Sequence, residues 1–107
     1  MSDGRMAGPG QDQWWLATLA RTIVWARLRV REAGTAEVFD SDGNTLPYDS
    51  EDSARAALMD AEFVAFDGLD ADDALARGFS LDEVHPPQAD SDEALRPLMF
   101  LSLGERA

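Results

Sequence analysis

Residues 25–62, WARLRVREAGTAEVFDSDGNTLPYDSEDSARAALMDAE, decide the fold. Ala26, Leu28 and Val30 alternate with Arg27, Arg29 and Arg31. A half-buried strand needs that period, because successive side chains point to opposite faces. Glu32-Ala33-Gly34 reads as a three-residue hairpin loop closed by a left-handed glycine. The implied register sets Leu28 against Val38, Val30 against Ala36 and Arg29 against Glu37. Ser41-Asp42-Gly43 repeats the turn and sets Val38 against Leu46 and Phe39 against Thr45. Two separate turns thus bring apolar residues to one face. Such agreement between local and cross-strand signals marks a sequence that specifies one structure.

Strands are therefore expected over 23–31, 35–40 and 44–48, with the last at an edge because Pro47 has no N–H to donate. Asp49 or Ser50 caps the helix that follows. Glu51 and Asp52 lie in its first turn, and Ala54, Ala57, Leu58 and Ala61 recur at helical spacing. A second short helix is expected over 71–77, capped by Asp70 and closed by Gly78. Ser80 to Glu83 reads as a capping box, and residues 88–93 as a polar, acidic loop. The apolar run Leu98 to Leu103 fits a strand buried on both faces, the simplest fourth strand of the sheet. Trp15, Leu16 and Leu19 share a helical face, which favours a helix capped by Asp12 over a strand; residues 1–12 and 104–107 read as flexible tails. The sum is one α+β domain of 107 residues, a small antiparallel sheet covered on one face by the main helix.

Charge is the strongest compositional signal. The chain carries −12, unevenly. Residues 1–36 hold five arginines against three acids, while residues 37–107 hold four against eighteen, a balance of −14. Such a field repels nucleic acid and anionic membrane; it favours a basic partner or serves solubility, as in a salt-adapted proteome. Arg27, Arg29 and Arg31 form a stripe beside Trp25 that is suited to single-stranded nucleic acid, but the overall charge opposes this, and pairing with Glu37 and other acids explains the stripe more simply. No apolar run reaches the length of a membrane span, and there is no cysteine for disulfide or thiolate chemistry. A cytoplasmic location and the absence of a cofactor are the default expectations.

Asp40, Asp42, Asn44 and Glu51 stand at positions one, three, five and twelve of a twelve-residue frame. Over that stretch the chain resembles the calcium loop of EF-hand proteins, which implies oxygen ligation of a hard cation by these four side chains. The chain departs from that pattern with Thr45 where the loop's glycine belongs, Pro47 at position eight, and a strand-like segment before the loop. A hairpin turn followed by a helix cap accounts for the same acids without metal.

Asp67, Asp70, Asp72 and Asp73 form a second acidic group at the expected start of the second helix. His85, the one histidine, precedes two prolines and has no evident orienting partner, so it gives an enzyme reading little to work with. Of the adjacent Trp14 and Trp15, one is expected in the core and one at its rim. The leading expectation is a non-enzymatic protein-interaction module of inhibitor or immunity type. It would meet a basic protein partner through Asp67, Asp70, Asp72, Asp73, Asp90, Asp92 and Glu93. A weak calcium-binding protein and a small enzyme are the alternatives.

Overall fold

In the computed structural model, residues 12–103 are described. The elements are β1 (Asp12–Leu19), β2 (Thr22–Val30), β3 (Ala36–Phe39), β4 (Thr45–Tyr48), α1 (Glu51–Asp60), β5 (Val64–Ala65), α2 (Ala71–Ala76), α3 (Asp92–Leu95) and β6 (Phe100–Ser102). Single 3-10 turns cover Phe66–Gly68, Leu81–Glu83 and Arg96–Met99. The strands form one six-stranded antiparallel sheet in the order β4-β3-β2-β1-β5, with β6 also paired to β2.

Every strand pairing expected from the two turns is present: Leu28 with Val38, Val30 with Ala36, Arg29 with Glu37, Val38 with Leu46 and Phe39 with Thr45. Gly34 and Gly43 take φ of 91° and 90°, the left-handed geometry that glycine adopts without steric cost. Pro47 lies in the edge strand β4. Ser50 is the cap of α1; its hydroxyl accepts from the Ser53 N–H at 3.1 Å.

The spine is β2. One edge pairs with β1 along its length, from Thr22–Leu19 to Arg29–Asp12. The other edge is shared end to end: residues 27–30 pair with β3 and residues 22–24 with β6. Because side chains alternate, β2 feeds two cores. Ala26, Leu28 and Val30 pack with Trp15, Val38, Ala54 and Leu58 beneath α1. Ile23 and Trp25 pack with Leu16, Phe39, Phe79, Val84, Leu95 and Met99 beneath the chain that follows residue 66.

Both faces of the sheet are thus covered, and this corrects several expectations. The helix expected near Trp15 is β1, and Asp12 opens that strand instead of ending a tail or capping a helix. The tail readings for 1–11 and 104–107 otherwise lie outside the described residues. Trp14 and Trp15 point to opposite faces and divide as expected: Trp15 is core at 2% exposed, and Trp14, partly buried at the rim of the other core, packs edge-on against Trp25 at 5.9 Å. Adjacent tryptophans on a strand can both turn inward when each face has a cover. Main-chain hydrogen bonding ends α1 at Asp60, where the N–H of Glu62 donates to the Met59 carbonyl and that of Phe63 to the Leu58 carbonyl. The chain then adds β5 beside β1. β6 exists and joins the sheet, but Phe100 is 50% exposed, so it is not buried on both faces. Ser80 makes no side-chain cap, so the box expected there is a plain 3-10 turn. Residues 88–93 are not wholly loop: Ser91 caps α3, its hydroxyl accepting from the Ala94 N–H at 3.1 Å.

Candidate functional site

The layer beyond residue 66 places the seven acids singled out in the sequence. Asp67 lies in the 3-10 turn, and Asp70, Asp72 and Asp73 open α2. Asp90 precedes α3, while Asp92 and Glu93 form its first turn. All seven are exposed. Asp70 and Asp73 are occupied locally in a reciprocal cap: Asp70 accepts from the Asp73 N–H at 2.8 Å, and Asp73 accepts from the Asp70 N–H at 3.3 Å. Asp92 is the one member of the set that appears among the ion pairs of the described residues. The acids therefore form an exposed, largely unpaired field and not one convergent cluster.

Four arginines are matched with acids, two across the sheet, one along α1 and one from a distant part of the chain. Arg29 donates to both oxygens of Asp12, its cross-strand neighbour, at 2.8 and 3.3 Å. That hydrogen bond holds the Arg29 guanidinium above its ordinary pKa. Arg31, rather than the directly opposed Arg29, donates to Glu37 at 2.9 Å. Arg55 approaches Glu51 at 3.8 Å and lies 5.1 Å over the Trp15 ring. Arg27 donates through Nη1 to Asp92 at 2.8 Å. The expected basic stripe is thus divided into separate ion pairs, and one of its members is not on the surface.

That member is Arg27, 4% exposed, the buried charged residue of the core. The register places it between two aromatics, Trp14 on β1 and Phe39 on β3, and its guanidinium lies 5.0 Å from the Phe39 ring centre. Its Nε and Nη2 are buried and have no hydrogen-bond partner. The donation from Nη1, with the further pull of both arginines, holds the Asp92 carboxyl below its ordinary range; partial burial opposes the shift without reversing it. Arg27 and Asp92 line a cleft of about 460 Å³ together with Asp12, Trp14, Arg29, Leu95 and the segment from Pro87 to Ser91. Sequence reading missed this place because Arg27 looked like its neighbours Arg29 and Arg31. The available signal was its central position opposite Phe39 in the same register.

A second groove, about 440 Å³, runs between α2 and β6; Leu75, Phe79, Val84, Leu101 and Leu103 supply its apolar wall, Glu83 an acid and Arg21 a cation. Leu75 is 66% exposed, and Leu98, just before β6, and Phe100 and Leu101 within it are also exposed. These side chains carried no functional signal in the sequence, where the run from 98 to 103 read as core.

The four residues of the calcium-like frame are engaged in turn and helix structure. Asp40 accepts the N–H groups of Asp42 and Asn44 at 3.0 and 2.9 Å, and Glu51 accepts from the Gln13 amide at 2.6 Å. Among the described residues no group of three or more acids and histidines is placed to hold a metal ion. His85 is exposed. Among the described residues no helix is long and apolar enough to cross a membrane. Comparison of the chain with protein-family models, with curated proteins and with solved structures found no match.

Proposed function

We propose that this protein is a non-enzymatic interaction module that binds a basic protein through the layer built from residues 67–103. One observation supports the reading: the same layer carries an exposed, largely unpaired acidic field and, at the groove between α2 and β6, the exposed apolar side chains Leu75 and Leu101. Long-range attraction accelerates encounter with a basic surface, and buried apolar anchors then slow release. An inhibitor or immunity-type role is the concrete form of such a module, and a cytoplasmic location is consistent with it.

The test is affinity capture at low salt with three baits: the natural chain, a charge-neutralised chain (Asp67→Asn, Asp72→Asn, Glu93→Gln) and an anchor variant (Leu75→Ser, Leu101→Ser). The capping acids Asp70 and Asp73 and the ion-paired Asp92 are left intact so that folding is preserved. A basic protein held by the natural chain, released by salt and lost from both variants supports the reading. Equal retention by the charge-neutralised bait contradicts it.

A further inference from the structure

Arg27 carries an unusual cost. A guanidinium has five N–H donors, and burial away from water is costly unless they are bonded. Here Asp92 takes one bond at Nη1, while Nε and Nη2 are buried without a partner. A methionine of similar length would fill the same space against Trp14 and Phe39 without that cost. Retention of a buried charge that weakens the fold points to a task outside the fold.

The two unpartnered atoms are not a random pair. Nε–H and the neighbouring Nη2–H lie in the guanidinium plane along one edge, the side-on fork that matches both oxygens of a carboxylate. We propose that the cleft between Arg27 and the segment from Pro87 to Asp92 binds a small free carboxylate, held in bidentate fashion by the Nε and Nη2 of Arg27. Its size, about 460 Å³, lies within the usual range for small-molecule sites. Trp14 and Leu95 offer apolar contact to the body of the ligand. Its charged lining is mixed: Arg27 and Arg29 face Asp12, Asp90 and Asp92. That balance repels phosphate dianions and polyanions more than a monoanion. Both free nitrogens are out of solvent contact, so binding requires part of the cleft lining to yield, and we assign that movement to the wall at 87–91. That wall contains no helix or strand, and beyond it the ion pair of Asp92 with Arg27, half exposed on its acidic side, ties the segment to the sheet.

The experiment is a titration of the ¹⁵N-labelled protein with sodium acetate, propionate and benzoate, each against sodium chloride and sodium phosphate at matched ionic strength. The arginine Nε–H signals are followed, and that of Arg27 is assigned by its loss in Arg27→Met. The expected result is a saturable shift of that one signal with at least one carboxylate and none with chloride or phosphate, accompanied by a carboxylate-specific rise in Tm that Arg27→Met abolishes. Arg27→Lys keeps the charge but lacks the fork, and its carboxylate affinity should fall by about tenfold or more. No saturable shift up to roughly 100 mM, far above the affinity range of a built site, overturns the proposal. So does an equal response to phosphate, or an unchanged Tm response in Arg27→Met. Should Arg27→Met fail to fold, an unchanged carboxylate response in Arg27→Lys overturns it equally.

Discussion

At the scale of single residues, the pair of Arg27 and Asp92 separates two effects that are often merged. Removing Asp92 leaves a buried guanidinium without its ion-pair partner. Removing Arg27 takes away both the charge and the two unpartnered donors. Breaking one side of a buried ion pair costs far more than replacing the charge with a well-packed apolar group. Asp92→Ala is therefore expected to destabilise the fold by about 1–3 kcal/mol, below the figure for a fully buried pair because the carboxylate is half exposed. Arg27→Met is expected to be neutral or stabilising by up to about 2 kcal/mol. Urea denaturation of the two variants checks the order. The pair also sets a pH dependence. The folded-state carboxyl of Asp92 lies below its ordinary value, so its contribution is complete above that ordinary value and is lost as pH falls through the folded-state value. The stability gap between the natural chain and Asp92→Asn should accordingly narrow as pH drops from neutral toward the acid limit of carboxylate titration. A gap that widens would contradict this sign.

At the scale of elements, two ends use residues that the local backbone disfavours. Ala20 opens the two-residue turn between β1 and β2 at φ 56°, and Glu62 follows α1 at φ 69°. Glycine is the usual occupant of both places; α2 has it, with Gly78 at φ 95°. This explains what sequence reading could and could not see. The turns containing Gly34 and Gly43 were visible and carried their whole register with them. The turn at Ala20-Arg21 gave no glycine or asparagine signal, so the longest hairpin of the sheet went unread and its first strand was mistaken for a helix. β5 was hidden for a related reason, because Glu62 stops α1 without the expected glycine. Ala20→Gly and Glu62→Gly should each stabilise the protein by about 0.5–1 kcal/mol, through relief of left-handed strain partly offset by the greater freedom of glycine when unfolded. Thermal melts of the single variants measure this; a loss of stability in both would show that the positive φ angles carry no strain.

At the scale of the whole molecule, the pattern of one strand misled the reading of both faces. Alternation of Ala26, Leu28 and Val30 with arginines looks like a sheet with one wet face. Only the tertiary pairing shows otherwise: Arg27 lies under α3 with Asp92, while Trp25 and Ile23 on the same face enter a core closed by Phe79, Leu95 and Met99. The cover is made of short helices and 3-10 turns whose apolar residues are too sparse to declare a face from sequence alone. The acids between them were legible as acids; their placement on the same layer as Leu75 and Leu101 was not. A net charge of −12 on so small a chain also works against its own compactness. Raising sodium chloride from low to physiological ionic strength should therefore raise Tm by a few degrees, as screening weakens self-repulsion. A Tm that falls with salt would mean that the ion pairs outweigh that repulsion.

The claim that the acidic layer is a binding surface is tested most directly by the association rate. With the basic protein captured by the natural chain, kon is measured by stopped-flow or surface binding across a range of salt concentrations. Electrostatic steering predicts a steep fall in kon as salt rises, with the charge-neutralised chain starting lower and falling less. A kon that is flat in salt, or the same for the two chains, would contradict the account.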